Sequence, residues 1–172
     1  MDGFGTMRDK IDIKILILFI LRRLPAEVDS QTLSSIALAD GTVGYFEYAE
    51  CLSELIESGH VEKHGSGYRI TEKGSTNCEI VENSLPYTVR SKLEKTVKPL
   101  AEGMRRRAMI GTSHERLSDG QCYVKLSLSD GAGPIMESRF LCAGEEQAAR
   151  IEARFRDDAE VIYNTFMGIL LE

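Results

Sequence analysis

The sequence predicts an α+β fold with two folded parts joined by a helical segment, and three observations support this. Residues 29–83 show helical apolar spacing, then a short hairpin pattern, then helical spacing again. Residues 109–143 alternate between apolar and polar side chains and contain two turn signals, as antiparallel strands do. From Gly144 an apolar stripe at helical spacing predicts one long helix. We therefore divide the chain into residues 9–83, 84–108 and 109–172.

A first helix is predicted over Asp9–Leu24, with Asp9 or Asp12 as its N-terminal cap. Its centre, ILILFIL, is apolar on all sides, so the helix has no face suited to solvent. It must be covered either by the C-terminal segments of the same chain or by a second subunit. The sequence leaves both alternatives open.

The following segment reads helix, turn, helix, hairpin. Asp29 caps a helix that ends at Asp40-Gly41, and Thr42 is predicted to cap a second helix that stops at Gly59. Strands at residues 61–63 and 68–70 flank the tip HGSG, and Thr71 caps the next helix. A helix-turn-helix followed by a two-stranded wing is the winged-helix arrangement, which we predict for residues 9–83. The apolar, inward residues of the second helix are predicted to be Phe46, Ala49, Leu52, Leu55 and Ile56.

Two groups of side chains are candidate contacts to double-stranded DNA. At the start of the second helix, polar and aromatic side chains could contact phosphates or thymine methyl groups. On and beside the wing, cations on a glycine-rich hairpin could approach the phosphate backbone. The candidates are Thr42, Tyr45 and Tyr48 on the helix and Lys63, His64, Arg69 and Lys73 at the wing.

The outward face of the second helix does not resemble a typical base-reading surface. Major-groove readers usually present Arg, Lys, Asn or Gln, whereas this face has four carboxylates and no cation. A solvated acidic face is the alternative interpretation for each of its residues. The positions assigned to it are Gly44, Glu47, Tyr48, Glu50, Cys51, Ser53, Glu54 and Glu57.

Residues 84–108 predict a basic helical linker. Pro86 stands in the first turn, where proline is tolerated, and Pro99 should kink or restart the helix. The polar face either supplements DNA binding, contacts another subunit, or is simply solvated. Its cations are Arg90, Lys92, Lys95, Lys98 and Arg105–Arg107.

The C-terminal part is predicted to be a three-stranded antiparallel meander that packs on one long helix. Strands are expected at residues 109–117, 121–129 and 135–143, because turn signals separate them. One face of the sheet should pack on the helix, since a half-buried sheet needs a cover. The inward residues of the second strand are Cys122, Val124, Leu126 and Leu128, and those of the helix are Ala148, Ile151, Phe155, Ala159, Ile162, Phe166 and Ile169.

Composition is that of an ordinary globular protein: 172 residues, 42% hydrophobic, 28% charged, with a net charge of -6. The charge is uneven, because residues 76–109 alone are net positive. Four dispersed cysteines without a Cys-x-x-Cys pair indicate reduced thiols and a cytoplasmic location. No signal peptide is recognised, and the longest apolar run is too short to cross a bilayer, so no membrane association is predicted.

No catalytic constellation stands out, and the sequence predicts a protein that is not an enzyme. The three histidines lack metal-site spacing, and Cys and His are too scattered for a zinc site. The glycine clusters lie at predicted hairpin tips, where glycine supplies positive φ. We predict neither a metal nor a cofactor.

The chain resembles the domain-of-unknown-function family numbered 4364 over nearly all residues. The matching blocks are DIKILILFIL, YFEYAECLSELIESGHVE, YRITEKG, ENSLP and the strand-strand-helix tail that ends in AEVIYNTFMGILLE. This resemblance implies a transcriptional regulator with an N-terminal winged helix. It brings no ligand, DNA target or catalytic residue with it.

Three hypotheses about function follow. The first is a homodimeric DNA-binding transcription regulator, whose C-terminal part serves for dimerisation or sensing. The second is a winged-helix protein-interaction module that does not bind DNA, which the acidic helix face and the net charge favour. The third is a small-molecule sensor with a cavity between the sheet and the terminal helix, for an effector that the sequence does not identify.

Overall fold

A computed structural model describes residues 9–172, which form six α-helices and two three-stranded antiparallel sheets. The chain divides after Met104 into two compact units, each with its own core. The α+β class and the long C-terminal helix are therefore as predicted. The boundary differs from the predicted one, because most of the segment that we predicted as a linker belongs to the first unit.

In the first unit, three strands form a small sheet in the order β1-β3-β2. The two-residue β1, which was not predicted, pairs with β3 through Val28↔Tyr68 and Asp29↔Gly67. The elements are α1 (Lys10–Arg23), β1 (Val28–Asp29), α2 (Ser30–Ala37), α3 (Tyr45–Glu57), β2 (Val61–His64), β3 (Gly67–Ile70), α4 (Glu72–Val81), a 3₁₀ turn (Glu82–Ser84) and α5 (Tyr87–Ala108), which continues into the second unit.

Helix α1 runs through the centre of the first unit. Asp9 caps it, and Ile13 and residues 15–21 are each no more than 6% exposed within this one chain. The cover comes from α2, α3, α4 and β3, not from the C-terminal segments. Burial within one chain therefore accounts for the apolar helix, but the covering elements are not the C-terminal segments that this alternative named.

The C-terminal end of α1 is held by ion pairs. The guanidinium groups of Arg22 and Arg23 both contact the Glu82 carboxylate, at 3.1 and 3.2 Å. Arg23 also pairs with Glu94 of α5 at 3.1 Å, and its guanidinium stacks 3.3 Å from the centre of the Phe19 ring. These contacts tie α1 to the 3₁₀ turn and to α5.

The YRITEKG block marks the junction between the hairpin and α4. The hydroxyl of Thr71 accepts from Gly74 N at 3.1 Å, so Thr71 caps α4 as predicted. Gly74 itself lies against the backbone of His60, where an added Cβ would come within 2.1 Å of the carbonyl oxygen. Only glycine allows this close approach of two backbones.

Helix α5 packs into the first core through Leu93, Val97 and Ala101. It begins directly after Pro86 and continues past Pro99, so the helix is not restarted there as we expected. Proline has no N–H, so one backbone carbonyl of the preceding turn loses its helical hydrogen bond. Because Pro99 is exposed, water can bind to this carbonyl instead.

In the second unit, β4 (Ile110–Arg116), β5 (Cys122–Ser129) and β6 (Pro134–Cys142) form the predicted meander in the order β4-β5-β6. The turns contain Gly120 and Gly131 at φ 87° and 91°. Helix α6 (Glu145–Leu171), which is kinked at Asp158, packs on β4 and β5 and touches β6 much less. The buried set confirms the predicted strand phase: Cys122, Val124, Leu126 and Leu128 of β5 with Ala148, Phe155 and Ala159 of α6.

One carboxylate is buried between α6 and β4. Glu152 accepts a hydrogen bond from Arg156 at 2.6 Å and lies 2.7 Å from His114 Nδ1. Both carboxylate oxygens therefore have a hydrogen-bond partner, as a polar group buried in an apolar core requires. No pattern in the sequence marks Glu152 for this role.

No helix among residues 9–172 is both long enough and apolar enough to cross a membrane. Over the same residues, no group of three or more His, Cys, Asp or Glu side chains is placed to hold a metal ion.

We predict that Phe19→Ala lowers the free energy of unfolding of the first unit by about 3–5 kcal/mol, because Phe19 is fully buried beside α1's ion pairs. The matched control is Phe46→Ala, at a ring that is 88% exposed, which should change stability by no more than about 0.5 kcal/mol. Urea unfolding followed by far-UV circular dichroism measures both. Equal losses in the two variants would contradict this core assignment.

We also predict that the free energy of unfolding falls at alkaline pH and that part of this fall is due to Cys78. Burial and the nearby Glu82 carboxylate raise the pKa of this thiol to about 11. Because the folded-state pKa lies above the unfolded one, the contribution is complete below about pH 8.5 and is lost as pH rises to 11. Between pH 9 and 11, the free energy of unfolding should fall by roughly 2 kcal/mol more in the wild type than in Cys78→Ala. Parallel pH curves for the two proteins would refute it.

Candidate nucleic-acid interface

The start of α3 presents two aromatic rings to solvent. Tyr45 is 62% and Phe46 88% exposed, and their rings meet edge to face with centres 6.0 Å apart. Gly44 precedes the helix, and its N–H donates to the Glu47 carboxylate at 3.2 Å. The helix cap therefore lies at Gly44, two residues later than the predicted cap Thr42.

Thr42 does not cap α3, so that prediction was wrong. Its hydroxyl and its backbone N–H both donate to the Asp40 carboxylate, at 2.6 and 3.0 Å. This local turn leaves Thr42 exposed, just before α3. It remains a candidate contact, beside Tyr45.

The rotation of α3 about its axis also differs from the prediction. Tyr48 and Cys51, expected to face outward, are 2% and 0% exposed, whereas Phe46, expected in the core, points to solvent. Tyr48, Cys51, Leu52 and Leu55 follow the i, i+3, i+4, i+7 spacing of a core-facing stripe. A buried Tyr48 cannot contact DNA, so we remove it from the candidate set.

The Tyr48 hydroxyl has no hydrogen-bond partner within the described part of the chain. Burial raises the pKa of this phenol well above its ordinary value, with smaller contributions from Tyr68 and Tyr45. The ring is therefore held by packing alone.

Two of the four α3 carboxylates are paired with lysines of α1. Lys10 contacts Glu50, and Lys14 contacts Glu54 at 2.5 Å. The hydrogen bond from Lys14 lowers the pKa of Glu54, so this carboxylate stays ionised in the pair. The net charge presented by α3 is therefore smaller than its sequence indicates.

The hairpin carries its cations on both faces. Glu62 pairs across the strands with Arg69, and Lys63 with Tyr68, so Arg69 and Lys63 lie on opposite faces. Lys63 lies 6.0 Å from the centre of the Tyr68 ring. All three predicted wing residues of the hairpin, Lys63, His64 and Arg69, are exposed, and His64 Nε2 lies 3.1 Å from Glu62.

Lys73 has a structural contact that the sequence analysis did not foresee. Its ammonium donates to the Ser58 carbonyl at 2.7 Å, at the C-terminal end of α3. A cation is favourable at this end of a helix. Lys73 therefore fixes the corner between α3 and the hairpin, and we do not count on it for DNA contact.

The basic face of α5 includes three exposed lysines, Lys92, Lys95 and Lys98. Lys92 is close enough to the turn before α3 to act on Asp40. Partial burial raises the pKa of Asp40, but the hydrogen bonds from Thr42 and the charge of Lys92 outweigh it and lower the pKa. A cation thus lies beside the candidate helix start.

Comparison with known protein families gives a match over most of the chain. The family model described as "Domain of unknown function (DUF4364)" matches residues 13–170. The chain belongs to this family. No curated protein and no solved structure matches it.

Several structural features of this DUF4364 member lie in the sequence blocks that carry the resemblance to the family. DIKILILFIL is the buried α1, and YRITEKG contains the Thr71 cap and the tightly packed Gly74. These residues have roles in packing and helix capping, and they do not indicate a ligand or a reaction. Phe46, which was predicted to lie in the core but is exposed, belongs to the block YFEYAECLSELIESGHVE.

For Tyr48→Phe we predict that stability is unchanged or rises by about 1 kcal/mol, because the variant removes a buried hydroxyl without a partner. Tyr45→Phe, at an exposed ring, is the matched control and should have no effect. Urea unfolding by circular dichroism tests both. A loss of more than 1 kcal/mol in Tyr48→Phe alone would reveal a hydrogen bond that this structure does not contain.

Proposed function

We propose that residues 10–81 form a winged helix that binds double-stranded DNA, and that the protein is a cytoplasmic, homodimeric transcription regulator. The order α1-β1-α2-α3-β2-β3, with the sheet order β1-β3-β2, supports the fold. In this arrangement α3 is the recognition helix and the β2–β3 hairpin is the wing.

The observation that carries the proposal is the placement of exposed cations on a hairpin that follows the candidate recognition helix. Lys63 and Arg69 lie on the two faces of the hairpin, and the turn between the strands contains Gly65 at φ 56°. A narrow hairpin with cations on both faces can contact phosphates on either side when it enters a groove.

The main argument against DNA binding is the acidic face of α3, and the pairing of its carboxylates weakens this argument. Glu50 and Glu54 each contact a lysine of α1, and Glu47 is bound to the backbone of Gly44. At the start of α3, Phe46 offers an apolar surface suited to a thymine methyl group. Thr42 and Tyr45 add polar groups for phosphates beside it.

The alternative, a winged helix that binds a protein and not DNA, also has a specific observation in its favour. Tyr45 and Phe46 form an exposed aromatic pair, and Glu57 lies on the same solvent side of α3 without a lysine of α1 nearby. Exposed aromatics on a helix side that also carries an exposed carboxylate suit a protein partner with a basic rim.

The deciding experiment is a fluorescence-anisotropy titration of a random-sequence duplex at low and at physiological salt. We expect a Kd of about 10⁻⁴ to 10⁻⁶ M at physiological salt, and much tighter binding as salt falls. In Lys63→Ala plus Arg69→Ala, affinity should fall for all sequences, and the slope of log K against log salt should become shallower by about 2.

The charge-matched control is Arg116→Ala plus Lys125→Ala, which removes two exposed cations outside the first unit and outside the basic face of α5. It should retain near wild-type affinity and salt dependence. If both double variants weaken binding equally, net charge and not the wing is responsible. If the wild type does not bind even at low salt, DNA binding is refuted and the protein-interaction alternative gains.

A further inference from the structure

Two of the four cysteines lie directly opposite each other in the second unit. Cys122 is the first residue of β5 and Cys142 is the last residue of β6, and the strand register pairs them. The side chains of directly opposed residues project from the same face of an antiparallel sheet. The two cysteines are 20 positions apart in the chain, so no local pattern such as Cys-x-x-Cys marks them. The fold alone makes them neighbours.

Both thiols belong to the core that the sheet forms with α6. Cys122 is 0% and Cys142 is 6% exposed, and the Cys142 thiol donates to the Cys122 carbonyl oxygen at 3.2 Å. The Cys142 side chain therefore leans toward β5. Its sulfur also lies 3.7 Å from the carbonyl oxygen of Gly144, the N-terminal cap residue of α6. The pair is thus placed where β5, β6 and the start of α6 meet.

The spacing of the two strands suits a disulfide. Directly opposed residues have Cα atoms about 4.5–5.5 Å apart, and disulfides span about 4.4–6.8 Å between Cα atoms. The Cβ atoms, about 4.5–5.5 Å apart in a sheet, must approach to about 3.5–4.5 Å. Because β6 is an edge strand and Cys142 is its last residue, this end of the strand can make so small a movement. Cys51 and Cys78 lie on two different helices, α3 and α4, and are not opposed in this way.

We propose that Cys122 and Cys142 are a modification site, a redox-sensitive pair of thiols that a peroxide converts into an intramolecular disulfide. One thiolate attacks the peroxide and breaks the O–O bond, and the hydroxide that leaves takes up the thiol proton as water. The sulfenic acid so formed is attacked by the second thiol, which makes the S–S bond and releases a second water. The two sulfurs lose two electrons in total, and hydrogen peroxide is reduced to two molecules of water. This site does not depend on DNA binding.

The surroundings of the two thiols assign their order in the reaction. Cys142 lies at the end of an edge strand and is the more exposed of the two, so the peroxide reaches it first. Burial and the neighbouring Cys142 raise the pKa of the Cys122 thiol, so this thiol stays protonated and does not attack peroxide itself. Cys142 is therefore the attacking thiol, and Cys122 resolves the sulfenic acid.

The disulfide links the end of β6, and with it the start of α6, to β5. In a reducing compartment the pair rests as two thiols, and the disulfide forms only while peroxide oxidises it faster than cellular thiols reduce it. The covalent link then replaces the hydrogen bond from the Cys142 thiol to the Cys122 carbonyl. The sensed signal thus acts on the junction between the sheet and α6.

The first test counts free thiols in the folded full chain before and after treatment with hydrogen peroxide. Alkylation with N-ethylmaleimide in denaturant should modify four thiols in the untreated protein and two fewer after oxidation, and dithiothreitol should restore all four. Mass spectrometry of the tryptic digest should find peptide 117–125 linked to peptide 140–150. A folded wild type that keeps all four thiols, or a disulfide that involves other cysteines, would overturn the proposal.

The second test uses variants in which one thiol of the pair is missing. In Cys122→Ala, Cys142 should stop as a sulfenic acid, which dimedone labels, whereas in Cys142→Ala, Cys122 should stay unlabelled. The matched control, Cys51→Ala plus Cys78→Ala, should form the disulfide at the wild-type rate. Circular dichroism checks that each variant is folded, and the wild-type thiol count decides the proposal even where a variant is not. Dimedone labelling of Cys122 in Cys142→Ala would refute the assigned order, and a control that forms no disulfide would refute the site.

Discussion

Burial of α1 on every side determines how the first unit is assembled. An apolar helix without a solvent face needs several elements around it, and α2, α3, α4 and β3 supply them within one chain. Its two ends remain polar, and there the contacts are ionic: Lys10 and Lys14 reach α3, and Arg22 and Arg23 reach Glu82. The apolar centre provides the hydrophobic stabilisation, and the charged ends fix the neighbouring helices in place.

The same packing determines what α3 presents to solvent. To cover α1, α3 turns Tyr48 and Cys51 inward, which leaves Phe46 outside, and it places Glu50 and Glu54 beside the α1 lysines. The surface chemistry of the candidate recognition helix is thus a consequence of core packing one helix away. Its sequence, considered alone, overstates its negative charge.

Most elements could be predicted because their signals are local. The caps at Asp29 and Thr71 and the alternation along β5 need only neighbouring residues, and they were correct. The phase of α3 failed because Phe46 is apolar and Tyr48 is amphipathic, so only tertiary contacts decide which ring is buried. Strand β1 was missed because its two residues become a strand only by pairing with β3. The role of Lys73 is likewise set by a carbonyl fifteen residues away.

Because each core closes within one chain, the two units do not need a partner in order to fold. The proposed dimer therefore adds binding strength rather than folding stability. A single winged helix with few phosphate contacts binds DNA weakly, at about 10⁻⁴ to 10⁻⁶ M without sequence selection. In a dimer, once one winged helix is bound to DNA, the second is present at an effective concentration on the order of millimolar. This linkage can raise the overall affinity by about 10² to 10⁴. An acidic protein with few exposed wing cations has particular need of this gain. We therefore expect association of two copies to be what makes weak contacts by the first unit sufficient for specific binding.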